Sequence, residues 1–160
     1  MTSQLLNFYS DLDGMTVTYL NKDSVSTTPT VYSLSEIPAS VETAHLPCRI
    51  LLPVGQGQSG TPNAMIIRSP NVTAQWSITD LFLLETAARD AGLNIQAPVL
   101  MAYVVAYVDA LSIKFNPVHT SYTNAYITSA NITPGMYEYP QGSGTWFYGV
   151  KSDIVIEEIF

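Results

Sequence analysis

The chain has 160 residues, 47% of them apolar and only 12% charged, with thirteen Asp and Glu against six Lys and Arg for a net charge of -7. That length favours one domain with a sizeable core, and an acidic balance with no basic run excludes tight nonspecific binding to nucleic acid, which needs clustered cations. Charged residues stand at about half their usual share, which leaves much of the surface to Ser, Thr, Asn, Gln, Tyr and apolar side chains, as in a subunit interface.

Met1 to Tyr9 lack the positive flank and apolar core of a secretory signal, so a soluble intracellular chain is expected. Leu5, Leu6, Phe8, Tyr9 and Leu12 recur at helical spacing up to Asp13-Gly14, predicting a short helix ahead of an extended Thr16 to Leu20. Lys22 to Pro29 is polar and reads as a loop. Thr30 to Leu34 alternates like a half-buried strand and closes at Glu36-Ile37-Pro38. After a turn-rich stretch ending at Leu46-Pro47, Cys48 to Leu52 is apolar and bounded by Pro53, as a short strand would be. Gly55 to Asn63 reads as a flexible loop, and Ala64 to Arg68 as a brief strand.

Trp76 to Leu84 begins alternating and ends apolar on both sides, predicting a central strand covered on both faces. Gln96-Ala97-Pro98 opens the clearest helix, with Leu100, Tyr103, Val104, Tyr107, Val108 and Leu111 as its sheet-facing stripe and Asn116-Pro117 as its end. Ala97 to Leu111 is the longest apolar stretch; it contains Asp109 and falls short of a membrane span. Met101, Val105 and Ala106 lie off the stripe, so the back of this helix is expected to meet another subunit. Ala125 to Phe160 reads as a long hairpin turning through Pro140 to Thr145, its second arm carrying strand character from Trp146 to Phe160. The fold class expected is α+β: one domain over residues 1–160, a mostly antiparallel sheet packed on one long helix and a short N-terminal helix. A loop-rich region lies at about 22–71.

Gly55-Gln56-Gly57-Gln58-Ser59-Gly60 matches a dinucleotide fingerprint by letter, yet Thr61-Pro62-Asn63 leads into another strand rather than the helix such a site requires. His45 and Cys48 lack the further ligands that zinc needs, His119 being remote in sequence; they read as a turn residue and a small core residue. The single cysteine allows no internal disulfide, and the sequons at Asn71 and Asn131 read as coincidental. Asp80 is the one acid inside a strongly apolar strand. If buried it needs a partner, for which Arg49, Arg68 and Arg89 are candidates; it reads as a charge at a strand edge or subunit contact. Asp153, Glu157 and Glu158 are expected to line solvent or a lumen. No catalytic, cofactor or metal set converges, so an enzyme is not expected.

The succession of Leu5 to Asp13-Gly14, Val31-Tyr32-Ser33-Leu34-Ser35-Glu36-Ile37-Pro38, Leu46-Pro47-Cys48-Arg49-Ile50-Leu51-Leu52-Pro53, Trp76-Ser77-Ile78-Thr79-Asp80-Leu81, one long helix, and a hairpin with arms Gly135-Met136-Tyr137-Glu138-Tyr139 and Trp146-Phe147-Tyr148-Gly149-Val150 resembles the tail terminator (tail completion) proteins of long-tailed bacteriophages. The likeness spans most of the chain and rests on patterns of strand, turn and aromatic. It implies a virion protein made in the host cytoplasm and assembled as a ring, commonly a hexamer. Such a ring caps the tail tube protein and joins the tube to the head-tail connector or stopper, ending tube growth. It implies no cofactor and no membrane, and DNA passing through an acidic lumen without specific binding. Trp146, Phe147, Tyr148 and Phe160, with Met101 and Val105, are the subunit-contact candidates; Gly55, Gly57 and Gly60 are candidates for contact with an adjoining ring. The long loop-rich segment between Lys22 and Asn71 departs from the pattern. A head-tail adaptor, stopper or capsid-decorating protein is therefore the alternative in the same setting, and a small-ligand-binding β domain with Tyr and Trp lining a pocket is the alternative from another class.

Overall fold

A computed structural model of the chain describes residues 4–52, 65–67, 72–88, 92–116, 122 and 124–160. Helix α1 (Leu5–Asp13) is followed by β1 (Tyr19–Leu20), β2 (Ser26–Thr27), β3 (Thr30–Ser33), β4 (Cys48–Leu52), β5 (Met65–Ile67) and β6 (Val72–Ala87). Helix α2 (Ala97–Lys114) and the hairpin β7 (Ala125–Glu138) and β8 (Trp146–Ile159) complete the described elements. The architecture is α+β, as the sequence predicts, with one mostly antiparallel sheet in a single compact domain. Strand order is β3-β4-β6-β8-β7, with β5 also pairing β6 and with β1-β2 as a separate ribbon.

The polar stretch 22–29 is not wholly loop. The Asn21 side-chain oxygen accepts the backbone N–H groups of Asp23 and Val25, a local turn that returns the chain so that β2 pairs antiparallel with β1. Beyond it, β3 runs parallel to β4, with the connection made by short 3-10 turns at Leu34–Glu36 and Thr43–His45. His45 is the turn residue expected of it: its Nδ1 accepts the Glu42 N–H at 2.9 Å.

Strand β6 lies between β4 and β8. Ile78, Leu81, Phe82 and Leu83 along it are essentially inaccessible, which bears out a central strand covered on both faces. On one face Phe82 joins Phe8, Leu12, Tyr19, Tyr103, Tyr107, Val150, Ile154 and Ile156 beneath α1 and α2. On the other, Leu81 and Leu83 join Val41, Cys48, Ile50, Tyr139 and Phe147. Successive side chains thus feed opposite cores, the two-residue repeat of a strand with no solvent face. The Phe82 and Tyr103 rings stack with centroids 3.7 Å apart, tying β6 to α2.

The β6 register shifts between Leu83 and Glu85 opposite Gly149. A Cβ at Gly149 would lie 2.2 Å from the Phe82 carbonyl oxygen, so this bulge requires a residue without a side chain.

Helix α2 presents the expected stripe to the sheet except at Val108. Val99, Leu100, Tyr103 and Tyr107 are buried, Val104 and Leu111 are half-buried against the same core, and Val108 is 49% exposed. Tyr103 and Tyr107 reach the sheet as the stripe requires, and Val99, outside the expected stripe, is buried where Val108 is not. Ala106, read as lying off the stripe, is half-buried against the core.

Candidate functional site

Among the described residues a connected group of polar side chains lies inside the fold. Asp80 stands in mid-β6 opposite Leu51 and is 1% exposed, so it is neither at a strand edge nor on a surface. Its partner is Arg49 on β4, also wholly buried. The Arg49 Nη2 lies 2.5 Å from Asp80 Oδ2, and Nε donates to both carboxylate oxygens at 3.2 and 3.3 Å. Nη1 donates to the Met15 carbonyl at 2.6 Å and Nη2 to that of Leu12 at 3.2 Å. Tyr107 on α2 donates to Asp80 Oδ2 at 2.8 Å, and its ring lies 5.7 Å from the guanidinium carbon.

One guanidinium therefore links the end of α1, two sheet strands and α2. Burial pulls the Arg49 pKa down, but the Asp80 carboxylate outweighs it and the net shift is upward, so the cation is retained. Burial, then the Asp80 charge, pushes the Tyr103 and Tyr107 phenols well above their ordinary value. Such groups are locked in one protonation state, which suits a clamp and not an acid or base that must exchange protons near neutrality. Arg68 and Arg89 lie outside the described residues.

A second buried carboxylate corrects the sequence reading. Glu158, expected to line solvent or a lumen, is 3% exposed. It accepts the backbone N–H of Gln4, next to the start of α1, at 2.5 Å and the Trp76 indole N–H at 3.2 Å. A carboxylate there both satisfies a helix-end donor and complements the helix dipole. Asp153 accepts from Thr79 at 2.8 Å and pairs with Lys151 at 3.1 Å, and Glu157 accepts from Tyr126 at 2.7 Å and Gln75 at 3.2 Å. Cys48 is buried and free, its thiol pushed up to about 12 by burial. Among the described residues no three His, Cys, Asp or Glu cluster to hold a metal.

The proposed contact residues separate into two sets. Phe147 is wholly buried within the chain's second core, and Tyr148 is buried with its hydroxyl 3.4 Å from the Gly92 carbonyl. These two belong to the fold itself. Trp146 and Phe160 are half-buried. Met101 and Val105 are 53% and 66% exposed. With Val108 and Ser112 they form a continuous outer stripe of α2 at steps of four, three and four residues. Gly55, Gly57 and Gly60 lie outside the described residues.

No family model matches the chain, and no curated protein matches it. Its surfaces therefore speak for themselves. Helix α2 has mean hydropathy 1.4 over 18 residues, long and apolar enough by length and composition to cross a membrane, yet only 22% of it is buried. The sequence reading judged Ala97 to Leu111 too short to span; the helix continues to Lys114, with Tyr103 stacked on Phe82 and Tyr107 bonded to Asp80 on the sheet and Asp109 exposed. Sequence reasoning missed Val108 on the outer stripe because a helix apolar nearly all round does not mark the borders of its buried face, where Val99 turns in and Val108 turns out. One cleft, of about 150 Å³, is lined by Tyr19, Lys22, Glu85, Gln96 and Val99, among others.

Proposed function

We propose that this chain is a structural, self-assembling subunit of a virion neck, forming a ring that caps the tail tube and joins it to the head-tail connector. The observation that carries the self-assembly is the outer stripe of α2. Met101, Val105 and Val108 expose apolar side chains side by side, and an apolar face on an 18-residue helix is costly to leave in water. A lipid surface is the poorer occupant: interfacial helices use Lys and Arg on their polar face, whereas Lys114 is the one cation on α2 and is paired with Asp11 at 3.2 Å. The assignment to a tail terminator rests on the resemblance in pattern, and the net charge of -7 suits a lumen that DNA must slide through.

The small-ligand reading is the weaker one. The cleft lined by described residues, of about 150 Å³, is smaller than the roughly 300–1,000 Å³ of sites that enclose a drug-sized ligand. Light scattering and native mass measurement across concentration test the proposal. An assembled species that Val105→Asp dissociates, with circular dichroism unchanged, is the expected result; a strict monomer under all conditions refutes it.

A further inference from the structure

The self-assembly reading leaves open how one subunit seats on the next, and the edges of the sheet supply an answer. Strand β7 is a terminal strand, paired only with β8 among the described residues. Its main-chain directions follow from two contacts. The Ile159 N–H donates to the Asn124 carbonyl at 2.8 Å, and the Thr128 hydroxyl donates to the Val155 carbonyl at 3.2 Å, so odd-numbered residues of β8 turn their main-chain groups toward β7. Their partners Ser129, Asn131 and Thr133 face back, because opposed residues in an antiparallel ladder face each other. Ala130, Ile132 and Pro134 therefore turn outward, and a proline is tolerated there because its missing N–H is not needed by β8.

Two devices bound this free edge. The register shift between Ile127 and Ser129 interrupts it on one side, and Pro134 removes a donor on the other. What remains regular is the five-residue window Ser129 to Thr133, with Ala130 and Ile132 as its outward pairs of N–H and C=O. Ser129, Asn131 and Thr133, on one face of the window, are exposed; on the other, Ala130 is exposed and Ile132 is half-buried against the core. Nothing in it is charged, although natural edges are commonly guarded by Lys or other charges.

The opposite end of the sheet matches it. Strand β3 is four residues long, and the Thr30 N–H donates to the Pro47 carbonyl at 3.2 Å. That turns Thr30 and Tyr32 toward β4 and Val31 and Ser33 away. Each edge thus offers two outward residues spaced two apart, and neither carries charge. Two copies at -7 each can meet there without like-charge repulsion, whereas a basic partner would gain nothing from it. Joining unlike edges head to tail is also what a ring requires, since identical patches close after two copies.

We propose that the window Ser129 to Thr133 of β7 receives β3 of a second copy, so that the sheet runs on from subunit to subunit; this rests on the self-assembly reading above. Short matched edges, stopped by a bulge and a proline, give a seam of fixed length rather than an open-ended stack. Ala130→Pro removes an outward donor and leaves the β8 ladder intact, so it weakens assembly at least ~10-fold with circular dichroism unchanged. Ala130→Cys mixed with Ser33→Cys forms an oxidised dimer between the two variants, Cys48 being buried, while neither variant alone does so. A cross-link formed by Ala130→Cys alone overturns the choice of β3. An assembly that keeps its mass in Ala130→Pro and yields no mixed cross-link overturns the inference and leaves the self-assembly reading standing. A wild-type chain that never assembles removes both.

Discussion

Asp80→Asn keeps size and shape while removing the one carboxylate that, among the described residues, pairs with the wholly buried Arg49. Without Asp80, burial pulls the Arg49 pKa down, but a guanidinium is too basic to lose its proton inside a protein, so a buried cation is left uncompensated. Removing one partner of a buried pair costs about 3–5 kcal/mol, a large share of the roughly 5–15 kcal/mol that holds a domain folded. For a chain of this length that corresponds to a fall of roughly 6–20 °C in Tm. Replacing both partners, as in Arg49→Met with Asp80→Leu, relieves the charge and leaves two orphans, the Met15 carbonyl and the Tyr107 hydroxyl, while the Leu12 carbonyl keeps the Met15 N–H. Each orphan costs about 1–3 kcal/mol if no water reaches it. The double variant is therefore expected to recover part of the loss, and adding Tyr107→Phe to recover more. Urea unfolding followed by Trp fluorescence, with the m-value held constant, measures all three. An Asp80→Asn variant within about 1 kcal/mol of wild type would refute the clamp.

Gly149→Ala forces a Cβ against the Phe82 carbonyl at 2.2 Å; a loss of about 1–3 kcal/mol is expected from overpacking, and a neutral result in urea unfolding would contradict the bulge geometry. Glu158→Gln weakens the charge-assisted bonds to Gln4 and Trp76, costing about 1–3 kcal/mol, with faster amide exchange in α1 as the local signature. The Cys48 thiol, raised by burial from 9.0 to about 12, is neutral in both states below pH 9, so its burial contributes in full there. Between pH 9 and about 12 only the unfolded chain ionises, and stability falls with rising pH until the folded thiol ionises too. Cys48→Ala should flatten part of that decline, Tyr19 supplying more of it through its own rise from 10.0 to about 12; at pH 8 the native thiol should react with a disulfide reagent only after unfolding.

Much of the fold was legible because the local signals agree. The spacing of Leu5, Phe8, Tyr9 and Leu12 gave α1, the proline-bounded Cys48 to Leu52 gave β4, and the doubly apolar Ile78 to Leu83 gave a central strand. Glu158 was readable too: Ser152, Ile154 and Ile156 share its face of β8, and that alternation alone puts the carboxylate inside. The choice of Arg49 as the partner of Asp80 was not, since it depends on β4 lying antiparallel to β6 in a register that sets Arg49 opposite Phe82. Nor was the parallel pairing of β3 with β4, which no local pattern encodes. Phe147 and Tyr148 drew attention as surface aromatics because a strand's apolar run looks the same whether a neighbouring subunit or the chain's own second core covers it.

The strand order has a bearing on how the molecule is made. Strand β6 gains β4 from residues already synthesised, but its other neighbour is β8, so Thr73 waits for Ile159. A growing chain holds one long side of β6 bare until β7 and its hairpin have followed, and pairings this distant in sequence slow folding and invite mispairing in the interval. Chains interrupted anywhere before β8 cannot complete the sheet, cannot seat α1 on Glu158, and present neither a finished helix face nor a finished edge. A product that stops short of β8 is thus expected to fail at folding itself.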